Sequence, residues 1–105
     1  MFNLQDVENE YRRLDQILGI DTSKIQITYC KGSSRGGYCE IRNGKPKRIA
    51  LNKVLFECPK NEFYDVIRHE YAHAANAMLY RKRGHNETWK KICRTVGSTP
   101  LAHVP

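Results

Sequence analysis

A His-Glu-x-x-His motif at residues 69–73 lies inside a long segment that contains no helix-breaking residue. Neither Pro nor Gly occurs from residue 61 to residue 83, so the segment predicts one continuous helix. Residues four apart lie one above the other on a helix, which places His69 and His73 on the same face. Two neutral imidazoles at this spacing can bind one Zn²⁺, and Glu70 between them can act as a base on water. The motif therefore predicts a metal site on a helix.

A catalytic zinc site needs a third protein ligand and an open position. The downstream candidates are His85, Glu87 and His103. His85 is favoured because it follows Gly84, where the chain can fold back toward the helix, and because Trp89 can pack beside the site. His103 lies in a terminal segment, where chains are often poorly ordered, and is the weaker candidate.

The spacing of the residues after the motif excludes one compact type of zinc site. In that pattern a glycine stands three residues after the second histidine and a third histidine stands six residues after it. This chain has Asn76 and Leu79 at those positions. A leucine cannot bind zinc, and this removes the compact pattern.

Length and composition predict a single intracellular domain over residues 1–105. The chain is 40% hydrophobic and 28% charged, which is typical of a globular protein. No apolar run approaches the roughly 20 residues that a membrane-spanning helix needs. The N-terminus has neither a basic region nor a long apolar stretch, so we expect no signal peptide. The four cysteines form no Cys-x-x-Cys pair, and we expect them to be reduced.

The charge is distributed unevenly along the chain. Residues 1–21 hold two basic and five acidic residues, a net charge of −3, whereas residues 22–105 hold sixteen basic and six acidic residues, a net charge of +10. A basic surface favours polyanions such as DNA, although basic clusters can also be simple solvated surface. The candidate nucleic-acid-binding residues are Arg81, Lys82, Arg83, Lys90, Lys91 and Arg94.

The remaining pattern predicts an α+β fold. Apolar residues at intervals of three and four predict an amphipathic helix over residues 3–18, capped by Asn3. Three short segments rich in β-branched residues predict a small, mostly antiparallel sheet, with the Asn43-Gly44 dipeptide as a hairpin turn. The predicted strands are residues 25–30, 38–42 and 48–52, and a helical turn is predicted near residues 54–58.

Capping residues predict where the two later helices begin and end. Asn61 is the expected N-cap of the motif helix, which should run to about residue 80 or 82 and stop at Gly84. Asn86 is the expected cap of a closing helix from residue 87 to about residue 95, which Gly97 should terminate.

Three segments together resemble the SprT-like metallopeptidases, which include the Spartan proteases. They are residues 35–42 before the motif, the helix at residues 67–75, and the segment Gly84-His85-Asn86-Glu87-Thr88-Trp89. Their order and spacing match over about residues 25–100. The resemblance implies a zincin-like α+β fold: an N-terminal helix, a small sheet, the motif helix and a closing helix.

The resemblance also implies a function and a role for each site residue. One catalytic Zn²⁺ would be bound by His69, His73 and His85, with Glu70 as general base. Tyr80 is a possible transition-state stabiliser. The expected activity is a zinc-dependent endopeptidase that cleaves DNA-associated or DNA-crosslinked proteins. Candidate residues of a substrate-binding strand are Gly37, Tyr38, Cys39 and Glu40.

Two departures from the family pattern leave alternatives open. The family often has Gly after its third histidine, where this chain has Asn86, and many members continue into a C-terminal zinc ribbon that is not found here. One alternative is a non-catalytic, zinc-stabilised nucleic-acid-binding module, which a fourth protein ligand would favour. The other is a DNA-independent peptidase with a dedicated protein substrate, such as a repressor.

Overall fold

The computed structural model describes residues 1–32 and 36–101. The predicted loop residues 33–35 and the candidate ligand His103 therefore lie outside the described residues. In chain order the elements are helix α1 (Leu4–Leu18), strands β1 (Gln26–Cys30), β2 (Gly37–Arg42) and β3 (Lys45–Asn52), a 3₁₀ turn (Lys53–Glu57), and helices α2 (Lys60–Tyr80) and α3 (Glu87–Val96). None of these helices is long and apolar enough to cross a lipid bilayer.

Helix α1 begins and ends where the sequence predicts. The Asn3 side chain accepts a hydrogen bond from the Asp6 backbone N–H, and the Asp6 carboxylate accepts one from the Asn3 N–H, which together form a capping box. The inward face buries the Tyr11 ring, whose hydroxyl donates to the Ile67 carbonyl at 2.6 Å. Ile17, by contrast, is 49% exposed, although its neighbour Leu18 packs against the core.

The sheet is mixed, with strand order β1-β3-β2. The Asn43-Gly44 hairpin joins β2 to β3 in antiparallel register, as predicted. A hairpin sets the direction of its own two strands only, and β1 lies on the far side of β3 and runs parallel to it. The central strand β3 therefore separates Cys30 from Cys39, and both thiols are free.

Helix α2 packs against the sheet, with α1 and α3 beside it, around one apolar core. Phe63, Ile67 and Tyr71 of the motif helix face this core, whereas Met78 and Leu79 near its end are exposed. Buried core side chains include Val7, Tyr11, Leu14, Ile49, Leu51, Leu55, Phe56, Phe63, Ile67, Tyr71, Trp89, Ile92 and Val96.

Helix α2 ends at Tyr80, within the predicted range, but its two capping residues differ from those predicted. Pro59 is the N-cap, and its carbonyl accepts from the Phe63 N–H at 2.9 Å, so the predicted cap Asn61 is wrong. At the other end, Arg81 adopts a left-handed conformation (φ 56°, ψ 39°) and ends the helix three residues before the predicted stop at Gly84. The Arg81 N–H bonds to the Ala77 carbonyl at 3.1 Å. The helix therefore ends without the glycine that usually occupies such a position.

Candidate metal centre and cleft

The structure brings the three predicted histidines together. His69 and His73 project from one face of α2, and His85 approaches them from the segment between α2 and α3. The His85 Nε2 atom lies 3.2 Å from His73 Nε2 and 3.4 Å from His69 Nε2. All three donor atoms lie within 4.8 Å of one another. Helical spacing explains the first pair, whereas the third histidine reaches the site by a reversal of the chain.

The donor set fits a tetrahedral metal ion. Zn–N bonds of about 2.0–2.1 Å at tetrahedral angles place ligand nitrogens roughly 3.3–3.4 Å apart, and the two short Nε2–Nε2 distances are close to this value. Imidazole nitrogens suit Zn²⁺ and other first-row transition ions better than Mg²⁺ or Ca²⁺. Among the described residues, the donor group consists of three histidines, which leaves a tetrahedral ion one position for another ligand.

The Trp89 ring contacts the imidazole rings of all three histidines. This fully buried side chain of α3 stacks on His73, with centroids 5.2 Å apart and planes 17° apart. It meets His69 and His85 edge-on, with centroids 4.9 Å and 4.6 Å away. One rigid ring thus limits the movement of all three candidate ligands.

The environment keeps the two helix-borne histidines neutral. Burial, together with the neighbouring His85 ring, lowers the pKa of His69 to about 4. Burial and the other two imidazoles lower the pKa of His73 to about 3. Only the neutral ring offers a lone pair to a metal, so both side chains are already in the ligating form near neutral pH.

Glu70 lies beside the triad and is almost completely buried, with 6% of its surface exposed. Burial raises the pKa of its carboxyl group to about 7, because the charged form loses its hydration. A carboxylate in this environment is a stronger base than one in water. Glu70 is therefore positioned to exchange a proton with a molecule bound at the triad.

The triad opens into a cleft of about 370 Å³ between α2 and strand β2. Burial and the nearby Glu70 carboxylate raise the pKa of the Cys39 thiol to about 12, and the Arg83 guanidinium opposes this shift. The thiol on the wall of the cleft is therefore protonated at neutral pH. Residues that line the cleft are Gly37, Tyr38, Cys39, Ile41, His69, Glu70, His73, Arg83, Gly84 and His85.

This geometry agrees with comparisons against known proteins. The model of the SprT-like family matches residues 4–104, nearly the whole chain. The chain belongs to the SprT-like family. The fold is also similar to the crystal structure of the metallopeptidase zymogen of Pyrococcus abyssi abylysin, with a TM-score of 0.66 and 17% sequence identity. That match covers 86% of this chain and 78% of the other, and it confirms the predicted α+β, zincin-like fold. No curated protein matches the sequence significantly.

The other predicted site residues of this SprT-like chain lie in different places. Gly37, Tyr38 and Cys39 line the cleft, as expected of a substrate-binding strand, but Glu40 instead pairs with Arg42 and Arg48 on the strand surface. β2 is at one edge of the described sheet, so its outer side is not paired with another strand of that sheet.

Of Tyr80 and the predicted basic residues, only Arg83 lines the cleft. Tyr80 is 39% exposed in the last turn of α2 and does not line the cleft, whereas Arg83 does. The candidate ligand Glu87 is exposed and pairs with Lys90 at 3.6 Å. The remaining predicted nucleic-acid-binding residues, Arg81, Lys82, Lys91 and Arg94, are exposed on the end of α2 and on α3.

Sequence reasoning missed one group of residues that adjoins the SprT-like triad. Asn76 is fully buried, and its side chain bonds to Asn86 and Thr88, immediately after His85. The sequence marks position 76 only as not glycine, and Asn86 only as a helix cap. A mid-helix asparagine in a buried segment is the signal that could have indicated a polar contact with another part of the chain.

Proposed function

We propose that this chain is a zinc-dependent endopeptidase of the SprT-like type. The observation that carries the proposal is the convergence of three histidine nitrogens within 4.8 Å of one another, two of the pairs near tetrahedral spacing, beside the buried carboxylate of Glu70 in one cleft. Three ligands and an open position are typical of catalytic zinc, whereas structural zinc is enclosed by four protein ligands. Cys39 lines the same cleft but is not part of the donor group of the described residues. This favours the peptidase over the zinc-stabilised binding module.

Each residue of the cleft has a role in this proposal. His69, His73 and His85 would hold Zn²⁺, which supplies a Lewis acid that polarises the scissile carbonyl and acidifies water. Glu70 would remove a proton from the attacking water and pass it to the departing amine nitrogen, which completes cleavage of the C–N bond. The predicted stabiliser of the transition state, Tyr80, does not line the cleft, whereas Arg83 does, so Arg83 is the better placed donor.

The substrate would bind as an extended peptide along β2. The free edge of this strand offers backbone N–H and C=O groups to a partner strand, and Gly37 to Cys39 line the wall opposite the triad. An added strand would bring a substrate carbonyl toward the histidines. The proposed site therefore selects an unfolded or flexible segment of a protein rather than a folded surface.

The basic residues support a substrate that is associated with or crosslinked to DNA, in an intracellular compartment. Arg81 and Lys82 follow α2 directly, and Lys91 and Arg94 are exposed on α3. Phosphates bound at these positions would lie near His85 and bring the attached protein to the cleft. A dedicated substrate without DNA would leave these charges with no role in catalysis.

The test is cleavage of a DNA-binding protein by the zinc-loaded chain, with and without single-stranded DNA. The Glu70→Gln variant should bind zinc like the wild type and cleave at least 100-fold more slowly, because it lacks the base. Retained cleavage in this variant would contradict the role of Glu70. No cleavage by zinc-loaded wild type under any of these conditions would favour the non-catalytic module.

A charge-matched pair of variants tests the contribution of DNA. Lys82→Gln with Lys91→Gln should lower the DNA stimulation and the salt dependence of DNA binding, since two phosphate contacts are removed. Lys24→Gln with Lys60→Gln removes the same charge elsewhere and should change neither. Equal effects in the two variants would indicate a general charge effect, and stimulation unaffected in both would assign DNA binding to other residues. Wild-type cleavage that DNA does not stimulate would favour the DNA-independent peptidase.

A further inference from the structure

The side chain of Asn76 connects the motif helix to the segment that carries the third histidine. It lies one turn beyond His73 on α2 and has 0% of its surface exposed. Its Nδ2 donates to Asn86 Oδ1 at 3.2 Å, and its Oδ1 accepts from the Thr88 hydroxyl at 2.6 Å. Both halves of the buried amide are therefore engaged by residues that follow His85 within three positions.

Asn86 receives contacts from both sides of this connection. Its Oδ1 also accepts from the Trp89 N–H at 3.0 Å, which caps α3, and lies 2.9 Å from the Thr88 Oγ1, whose single proton is shared with the shorter bond to Asn76. Its Nδ2 donates to the Arg83 carbonyl at 3.4 Å, across the turn that contains His85. The residue directly after the third ligand is thus fixed to α2, to α3 and to its own loop.

The location of this hydrogen-bond network indicates that it orients the segment that carries His85, in addition to stabilising the fold. Segment 81–85 is exposed and has no regular secondary structure, so its own backbone does little to fix the direction of His85. A buried amide costs free energy unless both of its polar groups are paired, and a fully paired network favours a single arrangement. An apolar side chain at position 76 would fill the same space but could not orient Asn86.

We propose that Asn76 is a positioning residue for the third metal ligand, acting through Asn86 to hold His85 against the helix-borne pair before metal binds. This inference rests on the proposed metal site at the triad, but not on peptidase activity. It explains why Asn86 replaces the glycine that the resemblance leads one to expect after the third histidine, since glycine has no side chain to meet Asn76.

Because Asn76 donates to Asn86, replacing each asparagine by aspartate should have opposite effects on the position of His85. Asn86→Asp keeps the Oδ1 acceptor that meets Asn76 and Trp89, and it places an acceptor opposite the Arg83 carbonyl only at the long, exposed contact, where water can separate the two oxygens. Asn76→Asp instead replaces the donor with an acceptor and directs it at another acceptor. The first change should therefore be tolerated, and the second should release the His85 segment.

Asn52 provides a matched control. It is also a buried asparagine, with 7% of its surface exposed, and its side chain makes two comparable hydrogen bonds, to the Gly32 carbonyl at 3.1 Å and from the Val54 N–H at 3.0 Å. It does not line the cleft. Asn52→Ala thus removes a similar buried amide at a place where the third ligand is not held.

The experiment measures zinc affinity by competition with a chelator, on variants shown to be folded by circular dichroism. Asn76→Ala, Asn76→Asp and Asn86→Ala should each weaken zinc binding by about 10- to 100-fold, the usual effect of losing a residue that orients a ligand. Asn86→Asp should stay within about fivefold of the wild type, since it loses one long hydrogen bond. Asn52→Ala should match the wild type.

Co²⁺ in place of zinc gives a second readout that a loss of stability alone would not change. The visible absorption of bound Co²⁺ depends on the number and geometry of its ligands. The spectra of Asn76→Ala and Asn76→Asp should shift toward that of His85→Ala, in which the third imidazole is absent. The spectra of Asn52→Ala and Asn86→Asp should keep the wild-type form.

Each outcome decides the inference. Wild-type zinc affinity and Co²⁺ spectra in folded Asn76 variants would overturn it, as would an equal loss of affinity in Asn52→Ala. If the Asn76 variants do not fold, a difference in zinc affinity between Asn86→Ala and Asn86→Asp supports the inference, and its absence overturns it.

Zinc binding that does not depend on His85 would overturn both this inference and the proposed site. Zinc binding without cleavage would contradict only the proposed activity.

Discussion

Helix α2 and the segment of residues 81–86 contribute to the same site by different physical means. The helix supplies His69 and His73 through its regular spacing, so two donors fall on one face as soon as the helix forms. The segment is exposed, has no repeating hydrogen bonds, and supplies His85 through contacts with distant side chains. Two ligands are thus positioned by local periodicity and the third by tertiary contacts.

This difference determines what can disturb each part of the site. Removing a contact from α2 leaves its backbone hydrogen bonds in place, and the helix continues to hold its two histidines. The segment has few such bonds, so its geometry depends on the side chains of Asn76 and Asn86 and on the Trp89 ring. The variants below affect the helix, the segment or both.

The largest expected effect follows from removing a ligand from either part. His73→Ala and His85→Ala should each weaken zinc binding by more than the roughly 100-fold that loss of an orienting partner costs, because a donor itself is lost. Glu87→Gln is the control for the segment, since Glu87 is exposed and paired with Lys90. Measurement is by chelator competition. Unchanged affinity in His85→Ala would place the third ligand elsewhere in the chain.

Trp89 contacts both parts, and its truncation should be the most destabilising of the changes considered. The side chain is fully buried, so Trp89→Ala should lower the free energy of unfolding by about 3–5 kcal/mol. Trp89→Phe should cost less, because it keeps an aromatic ring and removes an indole N–H that has no hydrogen-bond partner among residues 1–32 and 36–101. Urea unfolding of the metal-free protein measures both. Equal losses in the two variants would contradict the view that the ring itself supports the site.

The contrast between the two parts also explains which features could be predicted from the sequence. His69, Glu70 and His73 follow from local spacing, and the caps at Asn3 and Asn86 lie where the residue types indicate. These features depend on residues within one helical turn. Their physical causes are present in the sequence itself, and no knowledge of the rest of the fold is needed.

The wrong or missing predictions involve competition or long-range contact. Gly84 is the better intrinsic helix terminator, but the chain turns at Arg81, so that the segment can fold back over the site. The parallel pairing of β1 depends on which edge of β3 it reaches, which its own alternation does not encode. Asn76 is an ordinary helical residue until Asn86 comes close to it in space.

A substitution at Gly37 tests the wall of the cleft that strand β2 forms opposite helix α2 and the segment of residues 81–86. A Cβ atom at this position would lie 2.0 Å from the Ala50 carbonyl oxygen, a backbone atom of the neighbouring strand. Gly37→Ala should therefore destabilise the protein by about 1–3 kcal/mol, the usual cost of overpacking. Gly32→Ala is a suitable control, since its Cβ would meet only the Asn52 side chain at an ordinary 3.6 Å. Thermal unfolding that is equally affected in both variants would contradict the close approach of β2 to β3.

The smallest expected effect concerns the junction between the helix and the segment. Arg81 adopts a left-handed backbone conformation, which costs an L-residue roughly 1–2 kcal/mol. Arg81→Gly should remove that cost, but glycine also makes the unfolded chain more flexible, which offsets part of the gain. The glycine variant should therefore be more stable than Arg81→Ala by about 0.5–1 kcal/mol. The alanine variant is the matched control, because both substitutions remove the same charge. Midpoints of urea unfolding measure the difference.

Zinc affinity in the same two variants separates backbone from side-chain control of the segment. If the amide of Asn76 fixes the position of His85, a glycine at Arg81 should leave zinc binding within about twofold of the alanine variant, because the hydrogen bonds to Asn86 and Thr88 remain. If instead Arg81→Gly is more stable but binds zinc more weakly, the rigidity of the Arg81 backbone directs the segment. That result would move the control of the third ligand from the buried asparagine to the end of the helix.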